Sequence, residues 1–208
     1  MWSWVMPVWA YVTLEHEYVL IFRKWKKREF KSFEEKDNRQ KSSFFFEERN
    51  MWFSDIWEWI KWTKQKLNKD SIRERSAAYP IELAYRLINM FSVYWDVVLD
   101  PFLWTWTTTI AAMIAGRNSY GLEIDNWFFE TINESISWVK ELSSIIIDKR
   151  INNHNDYINE KLSKWGTFKY INKKYNSPVV SWVEQQIEFY KIKWISTNNN
   201  TYEVNYSI

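Results

Sequence analysis

Residues 97–125 read VVLDPFLWTWTTTIAAMIAGRNSYGLEID. The run from Asp96 to Leu99 is short, apolar and free of Gly and Pro, and it ends in Asp100-Pro101-Phe102. Residues 96–100 thus read as a short apolar strand. Residues 107–115 are small and read as a helix, with Gly116 as the residue just past its end. Residues 119–123 (SYGLE) form a second short strand. Strand, helix and strand within about 30 residues make a βαβ unit, whose crossover is right-handed and whose strands are parallel. The chain therefore belongs to the α/β class.

In sheets of this kind ligands lie beyond the carboxyl ends of the strands. Asp100 ends the first strand and Glu123 the second. An acid at the end of the second strand is placed to hold a ribose diol. The helix that starts at Thr107 offers backbone N–H groups that no helix carbonyl takes. By spacing this is a nucleoside-cofactor site; acids that simply end two strands in solvent are the alternative.

Outward from this unit the pattern holds for a distance and then loosens. Pro80 sits where a helix starts, and residues 81–91 carry apolar side chains at helical spacing (Leu83, Leu87, Ile88, Phe91). Residues 126–147 read as a long helix with Phe129, Ile132, Ile136 and Val139 on one face. Residues 151–164 suit a polar helix, and residues 168–180 and 202–208 suit β pieces around Pro178 and Asn198-Asn199-Asn200. Near the N-terminus, Tyr18-Val19-Leu20-Ile21-Phe22 reads as a buried strand. Residues 23–75 hold 16 Lys and Arg against 10 Asp and Glu, a net +6, and little periodicity. They read as an irregular basic insertion. A solvated loop or a nucleic-acid contact surface would both suit basic groups interleaved with aromatics. Phe44 to Phe46 reads as a buried anchor of that region.

Composition narrows the function classes. The chain has 208 residues, a net charge of +2 and 46% hydrophobic residues, which excludes a disordered polycation. It holds no Cys, so a disulfide framework, a thiolate zinc site and a Cys nucleophile are excluded. His16 and His154 show no metal-ligand spacing, and no metal site is expected. No apolar run reaches the roughly 18 residues of a spanning helix, and the apolar start lacks the basic flank of a signal peptide. A cytoplasmic protein without membrane contact is the expectation. The chain has 3 Gly and 16 Trp. An ordinary chain of this length carries roughly 15 Gly, so glycine is short by about as many residues as tryptophan is in excess.

DPFLWTWTT (101 and its neighbours) followed by GRNSYGLEID resembles the cofactor half of the amino-group DNA methyltransferases. RSAAYPIELAYRLI (75–88), LEHEYVLIFRK (14–24) and MWFSDIWE (51–58) resemble further segments of that family in an order that matches its permuted class. The resemblance covers residues 10–130. It implies a partial Rossmann-like, doubly wound sheet of the methyltransferase type with an irregular inserted recognition region. Residues 1–23 would close the catalytic half, 24–75 would form the target-recognition region, 76–150 the S-adenosylmethionine-binding βαβ part, and 151–208 a C-terminal α+β extension.

The resemblance also implies the chemistry. Methyl would pass from S-adenosylmethionine to an exocyclic amino group of adenine or cytosine flipped from double-stranded DNA. Tyr79, Pro80, Asp100, Phe102, Trp104, Trp106 and Thr107 would line the cofactor, and Glu123 would bind its ribose. Arg23, Lys24, Lys26, Lys27, Arg28, Lys61 and Lys64 would meet DNA. The family's catalytic Asp, Ser or Asn followed by Pro-Pro and an aromatic is absent, because no two of Pro7, Pro80, Pro101 and Pro178 are adjacent. The chain thus reads as a C-terminal portion whose partner is an upstream catalytic half, with a restriction endonuclease as functional partner. A catalytically inactive DNA-binding or regulatory subunit, or a decayed gene product, is the alternative.

The family's turn is D-P-F-x-G-x-G-T, and its two glycines fall here on Trp104 and Trp106. Trp25, Trp59, Trp62 and Trp95 also stand where turn glycines are expected. The reading is that UGA codons for glycine have been written as Trp, while Gly116, Gly121 and Gly166 come from GGN codons. A genuine aromatic-rich core is the alternative.

Overall fold

The computed structural model describes residues 16–58, 60, 79–103, 106–124, 127–198 and 201–207. Two short helices come first, α1 (Phe33–Lys41) and α2 (Phe46–Trp52). They are followed by α3 (Ile81–Phe91), β1 (Val97–Asp100), α4 (Thr107–Ile114), β2 (Asn118–Gly121) and α5 (Trp127–Trp165). Strands β3 (Tyr170–Ile171) and β4 (Pro178–Val179), a 3₁₀ turn (Trp182–Gln186), and strands β5 (Lys191–Asn198) and β6 (Thr201–Ser207) complete the chain.

Strands β1 and β2 pair in parallel, from Val97 opposite Asn118 to Asp100 opposite Gly121, with α4 as the crossover. This is the expected βαβ unit, and α/β is the fold class. Helix α4 lies at its centre because its residues are small: Ala111 and Ala112 are wholly buried, and α3, α5 and β5 pack around it. Gly116 ends α4 at φ +70°, the left-handed conformation that a helix stop commonly takes. Gly121 is fixed by close approach instead. A Cβ there would lie 2.2 Å from the Leu103 side chain, so the turn after β1 sits directly on the end of β2.

Four expectations are corrected. Tyr18 to Phe22 is neither buried nor paired among the described residues; Tyr18 and Phe22 are more than four-fifths exposed. A strand needs a partner for its N–H and C=O groups, and none of the described strands lies beside this segment. The basic region is not irregular throughout, because it contains α1 and α2. Helix α1 starts with a capping box in which the Ser32 hydroxyl accepts from the Glu35 N–H at 3.1 Å and the Glu35 carboxylate accepts from the Ser32 N–H at 3.0 Å. The long helix does not stop at 147. Helix α5 runs to Trp165 and absorbs the separate helix expected over 151–164. Its buried stripe is Val139, Ser143, Ile147, Arg150, His154 and Ile158. The spacing is helical throughout, but half of the stripe is polar, so apolar periodicity fades where the helix continues. Finally, β5 pairs antiparallel with β6 around 199–200, giving the C-terminal β piece a partner strand that composition did not mark.

The second buried cluster explains the polar stripe. Arg150 donates to both oxygens of Glu48, through Nε at 2.5 Å and Nη2 at 2.7 Å, and to the Tyr85 hydroxyl at 2.9 Å. His154 stacks on Phe45 with ring centroids 3.7 Å apart. Its two ring nitrogens face the Glu47 carboxylate at 2.9 Å and the Pro178 carbonyl at 3.0 Å. Phe45 is the buried anchor that the Phe44 to Phe46 run promised, and His154 is a structural residue. Glu184 completes the arrangement: its carboxylate accepts from the Phe46 N–H at 2.8 Å, at the positive end of α2.

Candidate functional site

The carboxyl ends of β1 and β2 carry the candidate site. Asp100 is the last residue of β1, and its main-chain carbonyl accepts from the Leu122 N–H at 2.9 Å. That bond brings the segment leading to Glu123 alongside Asp100. The Asp100 carboxylate is held on both oxygens. Oδ1 accepts from the Phe102 N–H at 3.0 Å, which turns the chain sharply at Pro101, and Oδ2 accepts from the Thr108 hydroxyl at 2.5 Å. The Tyr79 hydroxyl bonds to the Thr108 hydroxyl and reaches Oδ2 at 3.4 Å. Since Thr108 spends its proton on Asp100, it accepts from Tyr79. The chain Tyr79, Thr108, Asp100 thus links the entry of α3, the first turn of α4 and the tip of β1. Burial pushes the Tyr79 hydroxyl above the usual tyrosine range, while its bond to Thr108 acts in the opposite sense.

The other expected cofactor residues take different places. Pro80 is half-buried and starts α3 with extended backbone. Phe102 stands in solvent, 86% exposed at the turn. Thr107 is buried; the hydroxyl shown to reach Asp100 is that of its neighbour Thr108, which sequence reasoning did not single out. The triple Thr107-Thr108-Thr109 was the signal: only one of three consecutive helical positions faces the strand end. Glu123 is half-buried, and its carboxylate accepts from the Ile124 N–H at 2.8 Å. Trp104 lies outside the described residues. Trp106 is buried, caps α4 at φ +59°, and meets Tyr202 edge-on at 5.3 Å.

Of the basic residues, Arg23, Lys24, Lys26 and Lys27 are exposed, and the Lys24 ammonium lies 5.0 Å from the Trp25 ring centre. Arg28 is different: one guanidinium nitrogen donates to both Asp96 oxygens, at 2.9 and 2.8 Å, and ties the basic segment to the start of β1. Lys61 and Lys64 lie outside the described residues. Among the described residues no group of three or more His, Cys, Asp or Glu could hold a metal ion, and no helix is long and apolar enough to cross a membrane.

A sequence profile described as DNA methylase matches residues 3–134. The chain is 47% identical over 205 residues to the type II methyltransferase M.MthZI of Methanothermobacter thermautotrophicus, covering 98% of this chain and 56% of that protein. It is 48% identical over 135 residues to the type II methyltransferase M.MjaI of Methanocaldococcus jannaschii, covering 64% of this chain and 43% of that one. The chain therefore spans about half the length of the curated relatives it matches. Among solved structures it is similar to TTHA0409, a putative DNA modification methylase from Thermus thermophilus, also solved with S-adenosyl-L-methionine. The likeness has a TM-score of 0.47 at 33% identity and covers 67% of this chain and 48% of that one. A profile that matches well over half of the residues, βαβ unit included, places this chain in the DNA methylase family.

Proposed function

We propose that this chain is the cofactor-binding part of a type II DNA methyltransferase. Its reaction is methyl transfer from S-adenosylmethionine to an exocyclic amino group of adenine or cytosine in double-stranded DNA. One observation carries the reading: in a chain of this family, Asp100 ends β1, is oriented by Thr108 and Tyr79, and accepts through its main-chain carbonyl from Leu122, the residue before Glu123. The donor set suits the cofactor. Glu123 takes the ribose hydroxyls, which are donors that seek a carboxylate. Asp100 and Phe102, at the turn that leads to α4, border the nucleoside, and Tyr79 and Pro80 border the methionine end. The cofactor, when bound, supplies an electrophilic methyl group. The protein's part is to hold it in line with the target nitrogen.

DNA contact falls to Arg23, Lys24, Lys26, Lys27, Lys61 and Lys64, whose charges suit phosphates, with Arg28 holding the segment on β1. The catalytic residues come from an upstream half. Two features support such a partner. Strand β1 pairs on one edge only among the described residues, and Val97, Leu99 and Tyr120 leave an apolar face of the β1–β2 pair in solvent. A restriction endonuclease is the functional counterpart, and the work is done on cytoplasmic DNA.

The test is calorimetric titration of S-adenosylmethionine into this chain co-expressed with the missing half. Glu123→Ala is expected to weaken cofactor binding about tenfold, the worth of a hydrogen bond to a charged group, while affinity for duplex DNA stays within twofold. Equal cofactor affinity in both proteins would refute the assignment of Glu123.

A further inference from the structure

Among the described residues, five hold φ in the left-handed region: Gly116 at +70°, Gly166 at +83°, Asn176 at +50°, Trp95 at +71° and Trp106 at +59°. Glycine enters this region freely because it has no Cβ, and Asn is among the few other residues that visit it routinely. For a bulky side chain such a φ is an outlier. The two residues of the wrong type are both tryptophan.

Neither backbone can relax cheaply out of this conformation. The Trp95 N–H donates to the Gly116 carbonyl at 3.0 Å, and its own carbonyl accepts from the Asn118 side chain at 2.8 Å. These bonds set the entry into β1 against the entry into β2. The Trp106 N–H donates to the Leu103 carbonyl at 2.9 Å, and its carbonyl accepts from the Ile110 N–H at 2.9 Å as the first bond of α4. The Trp95 indole is 49% exposed and meets Tyr190 and Tyr206 edge-on at 5.4 and 5.7 Å, contacts that seat the ring but leave its Cβ on a left-handed backbone. Both turns belong to the βαβ unit, and glycine is the residue that takes both without a Cβ penalty.

We infer that positions 95 and 106 are glycine in the protein the cell makes, a glycine codon having been written as tryptophan at each. UGA is one base from the glycine codon GGA and one from the tryptophan codon UGG, so a code that reads UGA as glycine produces this substitution when translated by a table that reads it as tryptophan. The counts of 3 Gly and 16 Trp agree with it. The inference stands on backbone geometry and does not need the cofactor reading. It adds a consequence to that reading: glycine at 106 removes the indole packed against Tyr202, between the β1–α4 turn and the β5–β6 hairpin.

Two experiments decide it. Peptide mass spectrometry of the protein isolated from its own host is expected to show glycine at 95 and 106; tryptophan at both would overturn the inference. In recombinant protein with the sequence as written, Trp95→Gly and Trp95→Ala are compared by thermal unfolding. Both remove the same half-exposed indole, but only glycine relieves the backbone. Trp95→Gly is expected to melt about 3 °C above Trp95→Ala. An alanine variant that melts at the same temperature or higher would also overturn the inference. A third arm separates this inference from the cofactor reading. Trp106→Gly is expected to bind S-adenosylmethionine about tenfold more tightly than the protein as written. Glycine in the native peptides with no cofactor binding by Trp106→Gly would leave the glycine inference standing and remove the cofactor reading.

Discussion

Two clusters of carboxylates are built on opposite terms in this chain. Where α2 meets α5, Glu48 and Arg150 are 5% and 7% exposed, and their charged atoms bond to one another, to Tyr85 and to the Phe45 N–H. At the ends of β1 and β2, Asp100 and Glu123 lie close to solvent beside an exposed Phe102. The first cluster spends its polarity inside the protein, as a buried charge must. The second is steadied by Thr108, Tyr79 and the Phe102 N–H and stays only partly buried. The same side-chain chemistry is sealed inside the protein in one place and lies near solvent in the other, where the proposed cofactor site would draw on it.

The largest effect should come from breaking the closed cluster. Arg150→Met leaves Glu48 charged, buried and without its guanidinium, and is expected to cost about 3–5 kcal/mol in urea unfolding. Adding Glu48→Gln should recover part of that loss, because the amide removes the stranded charge and keeps an acceptor for the Phe45 N–H. A cost below about 1 kcal/mol for Arg150→Met would mean that water reaches the pair, and the contrast between the two clusters would fail.

A smaller effect is expected at the open cluster. Thr108→Val removes the hydroxyl between Tyr79 and Asp100 and should cost about 1–2 kcal/mol of stability. It should also weaken S-adenosylmethionine binding about tenfold in the reconstituted enzyme, because the Asp100 carboxylate loses the bond that orients it. Loss of stability with unchanged cofactor affinity would make Asp100 a structural strand end, and the two clusters would differ only in exposure.

The difference between the clusters also explains which parts were legible in the sequence. The open site follows from local pattern. Asp100 ends an apolar run, Pro80 opens a periodic helix, and α3 has the bounds that spacing gave it, Ile81–Phe91. The closed cluster joins residues 102 positions apart, Glu48 and Arg150, and local pattern carries no trace of such a pair. That 126–147 and 151–164 form one continuous helix was not legible for that reason: Ser143, Arg150 and His154 occupy core positions on its stripe but interrupt the apolar period. Helix α1 was missed for another reason. Its residues are nearly all polar, and only the Ser32 and Glu35 capping pair marked its start. The bond from Thr108 to Asp100 was not legible, because a run of three threonines does not say which hydroxyl reaches the strand end.

Arg28 lies between the two regimes and offers the smallest and sharpest test. Its guanidinium is half-exposed, with a side-chain exposure of 51%, yet both Asp96 oxygens accept from it. A surface pair of this kind is worth less than about 1 kcal/mol, so Arg28→Ala should scarcely move the urea midpoint. Its effect on DNA should be equally small, because its charge is already matched at the start of β1. Among the described residues the Lys24 ammonium has no carboxylate partner and lies over the Trp25 ring. In the reconstituted enzyme, Lys24→Ala is therefore expected to lower the slope of log affinity against log salt by about 0.9, one phosphate's worth of released counterion. Arg28→Ala should leave that slope unchanged. Equal slopes for the two variants would show that pairing with Asp96 does not withhold Arg28 from DNA, and that exposure alone decides which cations of this segment reach a phosphate.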